Sequence, residues 1–249
     1  MHMYPFYREE DLFPREFTHV IPRPWGNLYL NEDNPDSYDS NHALIFRDRV
    51  ADLPAVLAEI ADFYLARGIR PVIYQSILDD GWFGEIAEAM AAAGFRAWQE
   101  EQRWMLLEED STIRVKADVR RLNAWTEELA TYLYHAAGEP WEIAVARRQL
   151  QNANTLYFAA YVEGKPVGAI YGHVNDEGDC RIDYLLVATA HRGHGLGRAL
   201  THAFVTYCRE NAIPCALWPD GETPQRIYEE AGFRHVTARQ AGRASWMQL

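Results

Sequence analysis

The chain has 249 residues, 48% of them apolar and 24% charged, with a net charge of −12. This is an ordinary globular mixture, long enough for one large core or two smaller ones, and it excludes a disordered or fibrous chain. The acidity disfavours a nucleic-acid partner and mildly favours a cationic small molecule, while no apolar run approaches the length of a membrane span.

In chain order, residues 1–40 are rich in Pro, Asn, Asp and aromatics and read as irregular, with a strand over Asn27–Leu30 and a polar loop over Asn31–Ser40. The opening MHMYPFYREEDLFPRE is too polar for a signal peptide. From Ala43 the pattern becomes regular. ALIF is a strand, Leu53 to Gly68 a glycine-ended helix, Arg70–Gln75 a strand, and DDGWFGEIAEAMAAAGF a helix ending at Gly94. FRAWQEEQRWMLLE then gives closing strands, so strands and helices alternate as in an α/β layer.

The polar segment Glu108–Val115 reads as a turn into a new strand and is taken as the domain boundary. Asn123–Ala137 and Pro140–Gln151 are helical. Asn154–Tyr161 and Pro166–Val174 are strands joined at Glu163-Gly164-Lys165, and Arg181–Val187 is a third. A glycine-rich loop, Arg192–Gly197, opens an amphipathic helix in which Leu196, Leu200, Ala203, Phe204 and Tyr207 recur at helical spacing. Pro214–Trp218 is a strand. A short helix follows, with Thr223 as expected cap, Pro224 in its first turn and Gly232 at its end, before the closing strands.

The loop carries the chemistry. Glycines 193, 195 and 197 admit backbone angles closed to other residues and leave no side chain above the loop. The first amides of the following helix lack internal partners and sit at its positive end, which suits a phosphate. Arg192 and Arg198 add positive charge. A Walker loop needs Lys-Ser/Thr after its last glycine, and a dinucleotide loop needs G-x-G-x-x-G directly after a strand; neither pattern is present.

The segment Arg192-Gly193-His194-Gly195-Leu196-Gly197 resembles the R/Q-x-x-G-x-G/A signature of the GNAT superfamily of acyl-CoA-dependent N-acyltransferases. Ile227-Tyr228-Glu229-Glu230-Ala231-Gly232-Phe233 resembles the LYxxxGF signature of the same family, in the expected order. The resemblance implies an α/β fold with a mixed sheet and an N-acetyltransferase that moves an acetyl group from acetyl-CoA to a primary amine by direct attack, releasing CoA. It implies that the amides of Arg192, Gly193, His194, Gly195, Leu196, Gly197 and Arg198 hold the pyrophosphate. It further implies that Leu185, Leu186 and Val187 lie on a bulged, splayed strand that pairs with the pantetheine arm, and that Tyr228 donates its hydroxyl to the leaving sulfur.

The amine must lose a proton. A lysine-like amine of pKa about 10.4 is neutral about once in a thousand molecules at pH 7, a handicap of about 4 to 5 kcal/mol. Asp183 occupies a position where some family members carry an acidic base. Glu222 is a weaker candidate with no spacing behind it. Against the base stands a plainer role for Asp183, a charge paired to a nearby arginine.

The first half repeats the second. Gly94-Phe95-Arg96 matches Gly232-Phe233-Arg234, and Trp104-Met105 matches Trp246-Met247. The repeat fails at FRDRVADLPAVL, which has no glycine where the second half has its loop. Two tandem GNAT-like folds are therefore expected: residues 1–109 as a degenerate half without a cofactor loop, and 110–249 as the catalytic half. His191 and His194 lack a third ligand, so no metal is expected. Cys180, Cys208 and Cys215 lack C-x-x-C spacing and read as core thiols in a reducing, cytoplasmic setting. The acceptor is expected to be a small-molecule or peptide amine, and the protein a monomer or homodimer. Two alternatives stay open: a catalytically silent acyl-CoA-binding regulator, and a transferase using another acyl donor.

Overall fold

The computed structural model describes residues 3–247. The chain forms two compact units, one of residues 1–9 with 103–237 and one of residues 10–102 with 238–249. The units do not follow a cut between residues 109 and 110. Strands β5 (Phe95–Leu107) and β11 (Phe233–Trp246) each begin in one unit and end in the other. The compositional break near Glu108 falls where β5 gives way to a loop.

Helix α1 (Tyr4–Leu12) opens the chain, in a stretch that reads as irregular from sequence. In the unit of residues 10–102 and 238–249, β1 (His19–Arg23) and β2 (Gly26–Leu30) form an antiparallel hairpin around Pro24-Trp25. The sequence pattern shows only the second strand, because Pro22 and the exposed face of β1 hide the alternation. Strand β3 (Ala43–Ile45) pairs with β2 and, in parallel, with β4 (Val72–Gln75). Helix α2 (Leu53–Leu65) makes the crossover between them, burying Val56, Leu57, Ile60, Ala61 and Tyr64 on one face. The alanine-rich segment before Gly94 forms two short helices, α3 (Trp82–Glu85) and α4 (Ala87–Ala92), in place of the single expected one. Residues 243–245 of the last strand close this sheet against β4.

In the other unit the polar segment Glu108–Val115 is a loop that leads into the edge strand β6 (Asp118–Leu122). Helical residues 127–137 follow as α5 (Glu127–Leu129), a π-helical turn (Ala130–Tyr134) and α6 (His135–Ala137). Helix α7 (Pro140–Leu150) begins with a capping box between Glu139 and Glu142. Strands β7 (Thr155–Val162), β8 (Lys165–Val174) and β9 (Cys180–Val187) form an antiparallel meander beside β6. Helix α8 (Leu196–Glu210) crosses over to β10 (Cys215–Leu217), which is parallel to β9 and antiparallel to residues 105–106 of β5. Helix α9 (Glu222–Glu230) begins at a Gly221 cap, so Thr223 lies inside its first turn and not at its cap. The core of this unit gathers Phe158, Leu196, Leu200, Phe204, Tyr228 and Phe233; each such side chain contributes about 1.5–3 kcal/mol by leaving water.

The repeat seen in sequence is thus carried by topology. Each half contains a parallel strand pair bridged by one crossover helix, β3–α2–β4 and β9–α8–β10.

Candidate active site

Helix α8 begins where β9 ends. A short 3-10 turn, Thr189–His191, carries the chain from Val187 to Arg192, and the Arg192 Nε donates back to the Val187 carbonyl at 3.0 Å. Gly193 and Gly195 both take positive φ, 79° and 81°, which non-glycine residues adopt at a cost of about 1–2 kcal/mol. A Cβ at Gly193 would meet nothing within 4 Å, whereas one at Gly195 would touch Val115 Cγ1 at 3.0 Å. Gly193 therefore borders open space, and Gly195 is fitted into its surroundings.

Gly195 is the N-cap of α8 and offers no side-chain acceptor. The first backbone bond of the helix runs from Ala199 N–H to the Gly195 carbonyl at 3.0 Å, so the amides of Leu196, Gly197 and Arg198 are its unpartnered donors. They suit a phosphate by charge and by direction. His194 is exposed beside them. Arg198, expected to add charge to this place, does not: its guanidinium grips Glu230 of α9 through Nε at 2.6 Å and Nη2 at 2.9 Å. The Arg198 side chain thus ties α8 to α9, while its amide stays with the open donors of the helix start.

Strand β9 is bulged and parted from its neighbour. Its register with β8 jumps from Tyr171↔Tyr184 to Gly172↔Ile182, so Asp183 is the additional residue. Pairing with β10 covers only Cys215↔Cys180 and Ala216↔Arg181 among the described residues. Beyond Arg181 the strands diverge, and Ile182 to Val187, including the expected Leu185, Leu186 and Val187, have no β10 partner on that edge. Leu185 Cδ2 lies 3.9 Å from where a Gly197 Cβ would sit, so this length of β9 runs beside the start of α8.

Asp183 faces the opposite of what a base needs. Its carboxylate accepts from Arg181 Nη1 at 2.7 Å and lies 3.9 Å from His173 Nε2. Burial pushes its pKa up, but the Arg181 charge and the His173 hydrogen bond outweigh that and hold it down at about 2. So acidic a group is a poor proton acceptor at neutral pH. Of the two roles read from sequence, the geometry favours the ion pair over the base. Glu222 is also engaged, 3.4 Å from Arg226 on the exposed first turn of α9.

Tyr228 lies on α9 with 6% of its surface exposed, its ring edge-on to Phe233 at 5.9 Å. Its hydroxyl has no hydrogen-bond partner among the described residues. Burial first, and then the Cys215 thiol, raise its pKa well above that of free tyrosine. The phenol is thereby kept protonated and able to donate.

Sequence reasoning missed two groupings. Tyr184, next to the bulge, donates its hydroxyl to Glu142 of α7, and burial followed by that hydrogen bond raises its pKa. Behind it, Tyr171 and Tyr157 stack at centroid distances of 5.4 Å, and Tyr157 shares a hydrogen bond of 2.9 Å with Tyr134. The sequence signal was the repeated tyrosine in YFAAY, IYGH and DYLL at matching strand positions. Second, Cys180, Cys208 and Cys215 converge in the core, their sulfurs all within 4.8 Å of one another. The loop histidines are not part of any such group among the described residues.

A parallel strand pair that parts beside a bulge, with a glycine-capped helix opening at the gap, defines the GNAT type of acyltransferase fold. Residues 122–233 match the model of the acetyltransferase (GNAT) family. A GCN5-related N-acetyltransferase from Kribbella flavida superposes with a TM-score of 0.67 at 15% identity, covering 98% of this chain and 95% of that one. A functionally unknown conserved protein from Staphylococcus epidermidis gives 0.62 at 16% identity, covering 96% and 98%. A tandem GNAT protein from the clavulanic acid biosynthesis pathway gives 0.56 at 14%, covering 82% and 75%. No curated protein sequence matches. The fold is therefore two tandem GNAT-like folds in a mixed α/β architecture, and no helix among the described residues is long and apolar enough to cross a membrane.

Proposed function

We propose that residues 110–237 transfer an acetyl group from acetyl-CoA to a primary amine by direct attack of the amine on the thioester. The observation that carries this reading is the row of unpartnered amides at Leu196–Arg198, opening beside the unpaired edge of Ile182–Val187. Acetyl-CoA supplies the activated acyl group. Gly193 leaves room for a diphosphate, the α8 amides bind it, and the free edge of β9 offers backbone groups to an extended arm.

An amide on that edge, held rigid by the bulge, can polarise the thioester carbonyl. Tyr228, protonated and without a protein partner, hands its hydrogen bond to the departing sulfur. The acceptor side falls to Tyr184 and Glu142, whose carboxylate takes the Tyr184 hydroxyl on Oε1 and the Glu139 N–H on Oε2 at 2.9 Å. A fixed negative charge there draws a cationic amine and lies ready to take its proton through Tyr184 or water.

The first half fits the role of a degenerate copy. Its crossover helix α2 begins with Asp52, whose Oδ1 accepts the Ala55 N–H at 3.1 Å, and with Pro54 in its first turn. An anion already fills the place that a phosphate takes on α8. Strands β3 and β4 also stay paired throughout, Ala43↔Ile73 to Ile45↔Gln75, and open no gap.

One observation favours a second reading, a silent acyl-CoA-binding protein: the clamp of Arg181 on Asp183 removes the carboxylate on β9 from proton transfer. Thermal-shift titration with acetyl-CoA, CoA, longer acyl-CoAs and ATP, followed by turnover with a panel of primary amines, separates the possibilities. At 100 times Kd a ligand stabilises by about 2.7 kcal/mol, which raises Tm by about 5–10 °C in a chain of this size. Stabilisation by ATP alone overturns the cofactor assignment. Stabilisation by acetyl-CoA without turnover of any amine favours the silent protein.

A further inference from the structure

The three cysteines come from three elements, Cys180 from the start of β9, Cys208 from the last turn of α8 and Cys215 from the start of β10. All are free and buried, and their sulfurs lie within 4.8 Å of one another. Three sulfurs bound to one pyramidal ion at about 2.3 Å stand roughly 3.5 Å apart, so closing the cluster on an ion brings each pair together by at most about 1.3 Å. Cys180 and Cys215 are direct partners in the parallel ladder, one pair before β9 and β10 diverge.

We propose that Cys180, Cys208 and Cys215 form a buried three-thiol site for a three-coordinate thiophilic ion, trivalent arsenic taken up as arsenous acid. Charge selects the ion. Three thiolates around a divalent metal leave a net negative charge, and around copper(I) a larger one, in surroundings that contain Leu200, Phe204 and Ala231. Burying a net charge there is costly. Glu9 bears on Cys180 and raises the cost of an anionic complex further, and Arg181 next to it pairs with Asp183. Three thiolates around a trivalent ion are neutral.

Uptake balances without an oxidant or reductant: As(OH)3 and three thiols give As(S-Cys)3 and three waters. Each As–O bond is replaced by an As–S bond, and each thiol proton leaves with a hydroxide as water. The entry route is local opening of the last turn of α8, where Cys208 is buried between the half-buried Tyr207 and the exposed Arg209.

The reduced full-length protein is titrated anaerobically with sodium arsenite and followed by native mass spectrometry, sulfur-to-arsenic charge-transfer absorbance and Tm. One arsenic per chain, with loss of three protons and a raised Tm, is the expected result. Cys208→Ala should weaken binding by at least about tenfold while retaining affinity for phenylarsine oxide, which needs only two thiols. X-ray absorption at the arsenic edge of the loaded wild-type protein tests the site without any variant. Three sulfur neighbours and no oxygen support it. Absence of a stoichiometric adduct, an arsenic with retained oxygen, or displacement of arsenic by equimolar zinc overturns the proposal.

Discussion

At the scale of single residues, two side chains carry opposite expectations. Tyr228→Phe removes a hydroxyl with no protein partner, so Tm should stay within about 1 °C while kcat for acyl transfer falls by about 10²-fold or more. A fall in Tm of several degrees with unchanged kcat would show that Tyr228 is only a core residue. Asp183→Asn should do the reverse. It removes the charge that Arg181, 4% exposed, meets at 2.7 Å and should cost about 3–5 kcal/mol, measured by denaturant unfolding. The pH sign follows from the direction of the shift. Asp183 titrates lower when folded, so its contribution is complete above pH about 4 and is lost as pH falls toward about 2. With nearly two pKa units between the states, wild type should lose about 2 kcal/mol over that window and Asp183→Asn should not. Tyr228 and the loop glycines were legible because their signatures are contiguous. The Arg181 clamp was legible only as a possibility two residues away. Glu142, 42 residues from Tyr184, was not legible, because nothing local announces a contact made by folding α7 onto the sheet.

Elements make a sharper test of the loop. Gly195→Ala forces an L residue to φ 81° and drives its methyl to 3.0 Å from Val115, so it should destabilise by about 1–3 kcal/mol and weaken CoA binding. Gly197→Ala sits inside α8 at ordinary contact distances, 3.5 Å from Ile227 and 3.9 Å from Leu185. It should gain about 0.5–1 kcal/mol of helix stability and keep CoA binding within about threefold. Calorimetric titration of both variants with CoA checks the pair. Equal losses of affinity would mean that the amides of α8 are not what holds the ligand. The elements themselves were unevenly legible. α2 and α8 announced themselves through apolar spacing and terminal caps, and β7 to β9 through tight turns. α1 did not, because YPFYREEDL places apolar and charged residues around all its faces and its partners lie elsewhere in the chain. The bulge at Asp183 was invisible as well, since a register jump belongs to a pair of strands and not to either sequence alone.

For the whole molecule, the internal repeat suggests two separable halves, and the path of the chain denies it. A fragment of residues 110–249 lacks Met105 and Leu106, which pair with Leu217 and Ala216 of β10, and lacks Trp104, buried completely. It keeps residues 243–245 without β4, their antiparallel partner. A fragment of residues 1–109 has the converse defect: β4 loses Arg243, Ala244 and Ser245, and the Arg70 guanidinium loses the Trp246 carbonyl that it reaches at 2.9 Å. Each fragment therefore exposes an unpaired strand edge and a cut core. Neither should give a cooperative thermal transition and both should bind a hydrophobic dye, whereas the intact chain should melt cooperatively and bind none. Mixing the two fragments should restore a cooperative transition if the exchanged strands are what hold each unit together. A sharp melting curve from residues 110–249 alone, with CoA raising its Tm, would mean that the unit folds without residues 103–107 and that the exchange of strands is incidental to it.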